Sequence, residues 1–163
     1  MIQPQTIRRF QIVTLRPHWM QFVINELPWL LLCMAGWSYY IGWYCQGWLA
    51  VLLSLLSVIL LYRLAYLCRI KYRITSEQLM IESGVFTHSL AYIELYRVVD
   101  YNEHRSFMQQ LAGLKTVSIY SGDHTTPRLD LIGMKTGQDI VGCIRTRVEY
   151  NKLRKGVYEI TNR

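Results

Sequence analysis

Residues 27–62 read LPWLLLCMAGWSYYIGWYCQGWLAVLLSLLSVILLY, thirty-six positions without a formal charge between Glu26 and Arg63. Drawn as one α-helix, the run would extend roughly 54 Å. A bilayer core is about 30 Å thick and takes about 20 residues. Tilt absorbs a modest excess, not almost a doubling. The run therefore predicts a helical hairpin, with helices at about 22–44 and 48–68. The fold-back falls at Cys45-Gln46-Gly47-Trp48, where the run is most polar, and Trp43, Tyr44 and Trp48 flank it as interfacial aromatics do. Pro28 is tolerated if the first helix begins there and otherwise kinks it. Ser54 and Ser57 read as helix-contact residues, because small polar side chains let membrane helices approach.

The charges around the run give it a direction. Arg8, Arg9 and Arg16 precede it, Arg69, Lys71 and Arg73 follow it, and the turn carries none. Both termini are expected on the cytoplasmic side and the turn on the far side. The run starts too late and is too long for a cleaved signal peptide. The net charge of +7 is accounted for by bases at a membrane surface, where they attract anionic headgroups without specificity; no nucleic-acid partner is expected. Cys33, Cys45, Cys68 and Cys143 form no CxxC and no Cys/His spacing that suits zinc. They read as small apolar residues.

The chain divides into a membrane-anchoring segment, 1–68, and a cytoplasmic unit, 69–163, large enough for one small core. In the second unit the hydrophobic period changes from helical to alternating. Strands are expected at 71–75, 78–82, 85–93, 96–103, 115–120 and 128–133, with a helical turn at 105–112. Helical spacing returns at 137–150, where Ile140, Val141, Ile144 and Val148 share one face. The fold class is α+β: a helix pair, then a small antiparallel barrel or sandwich capped by a C-terminal helix. Ahead of the helix pair, residues 6–13 read as a short strand or an interfacial segment. The tail segment Val157-Tyr158-Glu159-Ile160 reads as a strand able to pair with its own barrel or a neighbour's.

No catalytic constellation emerges. Glu103 and His104 are neighbours on a strand, so their side chains point to opposite faces. Asp123-His124 is turn chemistry. Gly133-x-x-x-Gly137 is not a phosphate loop, because no Gly-Lys-Ser/Thr follows it, and the aspartates lack calcium-loop spacing. The expectation is a non-enzyme with no catalytic, cofactor-binding or metal residues.

Four blocks carry a resemblance. Arg16-Pro17-His18-Trp19 stands ahead of the helix pair. Tyr72-x-Ile74-Thr75 with Leu79 and Gly84, then Ile93-x-Leu95-x-x-Val98-x-Asp100, follow it. The most specific is Phe107-x-x-Gln110-Leu111-x-Gly113-Leu114-x-Thr116-Val117. In order and spacing, over about residues 16–150, they resemble the bacterial pleckstrin-homology-like (PH-like) membrane proteins with an N-terminal two-helix hairpin. Gln110 departs from an arginine common there, and the tail is unmatched. The resemblance implies a PH-like fold, a place in the bacterial inner membrane and a larger, related PH-like partner. In lipid-binding PH domains a basic cluster brackets the first hairpin; taking its turn as Thr75-Ser76-Glu77-Gln78, with an acid and no base, argues against specific phosphoinositide binding. The resulting expectation is a membrane-anchored binding or scaffold module that assembles with itself or a partner at the inner face. The alternatives are an accessory subunit of a membrane enzyme or transporter, or a sensor of anionic lipid or a small ligand.

Overall fold

The computed structural model describes residues 10–43, 47–123 and 126–156. Two antiparallel sheets form its base. The first has four strands in sequential order: β1 (Val13–Leu15), β2 (Lys71–Ile74), β3 (Gln78–Ser83) and β4 (Ser89–Glu94). The second has three: β5 (Val98–His104), β6 (Leu114–Ser121) and β7 (Arg128–Lys135). Alternation puts Tyr72 and Ile74, Leu79, Ile93, Val117 and Ile119, and Leu129 and Leu131 into one shared core. The long helix α4 (Ile140–Lys155) closes it with Ile140, Ile144 and Val148, and Val141 packs at the margin.

Two helices lie between β1 and β2: α1 (Met20–Trp43) and α2 (Gly47–Arg69). They pack side by side. Leu53 and Leu60 of α2 are buried, and a Cβ on Gly36 of α1 would collide with the Leu53 side chain. Ser57 supports the contact reading given to it: its hydroxyl lies 3.4 Å from Cys33 Sγ and accepts the Trp37 Nε1–H at 3.4 Å. Ser54 instead bonds the Val51 carbonyl on its own helix and is exposed. Pro28 is interior, since α1 starts at Met20 rather than at the proline. By length and hydropathy, α2 is the one helix among the described residues suited to crossing a membrane. α1 carries Gln21, Asn25, Glu26 and Pro28 in its first half and several Trp and Tyr residues further along. The turn residues 44–46 lie outside the described residues, as do 1–9, 124–125 and 157–163, and with them Arg8, Arg9, His124 and the tail segment.

The strand ahead of the helices changes the topology expected from the sequence. Val13, Thr14 and Leu15 pair with Ile74, Arg73 and Tyr72, so the sheet unit draws a strand from before the helix pair rather than beginning at Arg69. The first hairpin of the fold is thus β1–β2, and the helix pair is its connection. Thr75–Gln78 is the second turn. The bases that flank the β1–β2 connection are Arg16, Arg69, Lys71 and Arg73, whereas Glu77 lies in the second turn.

Other boundaries move for local reasons. The strand expected at 85–93 is β4 alone, because Gly84, at φ 119°, turns the chain so closely that a Cβ there would strike the Thr87 carbonyl. The strand expected at 96–103 starts at Val98, after a 3₁₀ turn, Leu95–Arg97, that seats Leu95 in the core. The helical turn at 105–112 is α3 (Phe107–Leu111), capped reciprocally by Ser106 and Gln109. The helix expected from 137 begins at Ile140, where Asp139 Oδ1 accepts the Gly142 N–H at 2.9 Å.

Tyr72 gives the core a pH limit. Burial raises its pKa above the ordinary 10.0, against the lowering effect of the Ile132 N–H that its hydroxyl accepts. A raised value in the folded state means that the unfolded chain ionises first. Its contribution is complete below the unfolded pKa and is lost as pH climbs through the folded one. Denaturation midpoints are expected to fall above pH about 10 in the wild type, and less steeply in Tyr72→Phe.

Candidate functional site

Sheet order leaves β5 at the edge of its sheet, paired with β6 alone. Its other side faces α4. The two elements run in opposite directions: Val141 lies near Tyr101 and Glu103, whereas Lys155 Nζ sits 3.8 Å from the centroid of the Tyr96 ring. Between them is a groove of about 780 Å³, lined by Val98–Tyr101 and, on α4, by Val141, Arg145, Val148, Glu149, Lys152 and Leu153. Val99 and Leu153 are 67% and 66% exposed. An Arg145–Glu149 pair at 3.1 Å edges the helix side. An apolar floor beside a strand edge, with charges at the rim, suits an extended peptide segment.

A smaller hollow of about 480 Å³ lies beyond the groove, among Tyr101, Glu103, Lys115, Thr136, Gln138 and Asp139. It holds the one buried lysine of the described chain, but Lys115 is tied to Glu103, which also lies 3.7 Å from Arg105. That amine is held in place by the ion pair. The His18 ring nitrogen Nδ1 accepts the Met20 N–H at 3.3 Å, and His88 and His104 are exposed. Among the described residues no three His, Cys, Asp or Glu side chains gather as a metal site requires.

The basic residues singled out in the sequence come together in part. Leu15 pairs with Tyr72, so Arg16, just past it, lies at the root of the helix pair with Arg69 and Lys71. Arg16 and Arg69 are exposed and Lys71 is half-buried. Arg73 is further along β2 and is paired with Glu82 at 3.2 Å. The root is fastened to the sheets. The His18 N–H donates to the Gly133 carbonyl at 2.9 Å, and the buried Gln109 amide donates to Gln21 at 2.9 Å. Arg63 of α2 meets Glu26 of α1 at 2.6 Å, bridging the two helices where the uncharged run begins and ends.

Ile140, Ile144 and Val148 are core residues and Val141 is partly buried, on the groove side. Two further buried residues of α4 are polar. Arg147 donates to the carbonyls of Ile74 (3.2 Å) and Gln11 (2.6 Å), and Asn151 to those of Ser76 (2.6 Å) and Arg147 (2.8 Å). Their positions continue the Ile140, Ile144, Val148 stripe, the one sequence signal that marked them.

A four-stranded and a three-stranded antiparallel sheet closed by a C-terminal helix define a PH-like domain, a fold that supplies a binding or scaffold module. The family model of the bacterial PH domain matches residues 22–148, most of the chain, and the protein belongs to that family. No curated protein and no solved structure matches it.

Proposed function

We propose that this bacterial PH domain protein is a membrane-anchored, non-catalytic module that assembles with itself or with a related PH-like membrane protein through the β5–α4 groove. The groove is the observation that carries the reading: about 780 Å³ beside a strand edge that has no second strand partner among the described residues. An extended segment laid there gains ladder hydrogen bonds from β5 and apolar contacts from α4.

Anchoring draws support from the thirty-six-residue uncharged run and from the bases at the helix root. In this reading α1 and α2 cross the bacterial inner membrane together and both termini are cytoplasmic. Arg16, Arg69 and Lys71 then face anionic headgroups, which attract them without specificity, while Arg73 is held by Glu82. The aromatic side chains of α1 suit packing against neighbouring membrane helices. The paired state of Lys115 and the separation of His18, His88 and His104 support the non-catalytic part.

Native mass spectrometry of the full chain in mild detergent tests the proposal. The wild type is expected as an oligomer, or with a copurified PH-like membrane protein. Val99→Arg and Leu153→Asp change exposed groove residues, so stability should move by no more than about 0.5 kcal/mol while assembly is lost. A strictly monomeric chain that recovers no partner overturns the reading. So does assembly that survives both substitutions.

A further inference from the structure

The turn between β3 and β4 carries the most exposed large apolar side chain among the described residues. Phe86 is 85% exposed. The tip is built as a tight turn. Ser83 pairs with Ser89 below it, and Gly84, at φ 119°, folds the chain onto the Thr87 carbonyl. One face of the Phe86 ring stacks on Tyr62 of α2, with centroids 6.0 Å apart and planes at 9°. The other face has no cover.

The position of that contact gives it meaning. Tyr62 is the last residue of the uncharged run, and the next residue, Arg63, pairs with Glu26, which precedes the run. The Phe86 ring therefore sits level with the point where the helix pair turns apolar. The turn also lies at the helix end of its sheet, because Lys71, two residues after α2, pairs with Glu82. Residues 83–93 carry no Asp, Glu, Lys or Arg, and Glu82 at the foot of the turn lies opposite Lys71 and is paired with Arg73, so no unpaired acid there opposes an anionic surface.

We propose that the β3–β4 turn is a further membrane contact, with Phe86 seated at the headgroup–acyl boundary of the bilayer beside α2. This rests on the anchoring reading above. Aromatic side chains favour that depth, where an apolar ring leaves water while polar backbone stays hydrated. A third contact beside the helices would hold the sandwich at one tilt on the membrane, which fixes the direction in which the β5–α4 groove opens.

The test uses full-length protein in vesicles of phosphatidylcholine and phosphatidylglycerol. Cys33, Cys45, Cys68 and Cys143 are replaced by alanine, and one cysteine is returned at Phe86→Cys, Leu55→Cys or Glu149→Cys for an environment-sensitive fluorophore. Leu55 is exposed in the middle of α2 and Glu149 is exposed on α4. Lipids carrying a spin label near the headgroup are expected to quench the Phe86 site. Deeply labelled lipids should quench Leu55, and neither should quench Glu149. If Leu55 is quenched and Phe86 behaves like Glu149, the turn stays in water: this inference falls and the anchoring reading stands. If Leu55 escapes the deep quencher, the anchoring reading falls, and this one with it.

Discussion

Ile144→Asp is expected to abolish the folded sandwich. Ile144 is 0% exposed and sits among core residues of both sheets. An aspartate there loses the apolar contacts of the isoleucine and buries a carboxylate among apolar side chains, while Arg147, one turn on, is already committed to the Ile74 and Gln11 carbonyls. An unpaired buried charge costs several kcal/mol, and large losses of this kind belong to a short list of causes, this among them. Domains of this size have about 5–15 kcal/mol in total, so the substitution consumes most of the margin. Thermal unfolding of the full chain in detergent, followed by near-ultraviolet circular dichroism, should show no cooperative transition. Arg145→Asp, one residue along and exposed, loses the surface pair with Glu149 and sets a like charge four residues from it, together worth about 1 kcal/mol or less. If Ile144→Asp melts like the wild type, α4 does not close the core.

That stripe was readable because Ile140, Ile144 and Val148 recur at helical spacing. Strands β2, β6 and β7 were readable for the complementary reason: apolar and polar residue types alternate along them, although in β6 the polar Lys115 and Ser118 are buried as well. Strand β1 was legible only as a short strand or interfacial segment at 6–13, which meets it at Val13. It has three residues, and its partner lies beyond the entire helix pair, so neither alternation nor a turn shows what it pairs with. Its pairing with β2 makes Thr75–Gln78 the second strand connection of the sheet rather than the first. The 85–88 segment reads as strand by composition, yet Gly84 turns it, a consequence of backbone conformation rather than of side-chain pattern. The groove was hidden for a related reason. Its floor is a strand edge, a backbone property that depends on which strands flank β5. Arg147 and Asn151 occupy core positions of α4, but polar residue types read as solvent-facing unless the carbonyls they serve are known.

Arg147 is where that omission has the largest consequence. The side chain is 4% exposed, and its two terminal nitrogens donate to Ile74 and Gln11, the ends of β2 and of the segment leading into β1. Its guanidinium also lies 5.4 Å from the Phe10 ring centroid. Arg147→Ala removes both donors and leaves a void. An unsatisfied buried polar group costs about 1–3 kcal/mol, so a loss of about 3 kcal/mol is expected, with Arg147→Met losing less because it refills the volume. The loss should not be uniform. Strand β1 has β2 as its one strand neighbour, over three residue pairs, so it depends on the Arg147 clamp more than β6 does. Hydrogen exchange should quicken first at Val13–Leu15, with β6 protected until global unfolding. The His18 N–H, which holds the root of α1 to Gly133, follows directly after β1. Its protection should fall with that of β1, loosening the helix pair from the sandwich while the core persists. Equal acceleration across β1 and β6 would mean that Arg147 supports the core as a whole rather than the strand ahead of the helices.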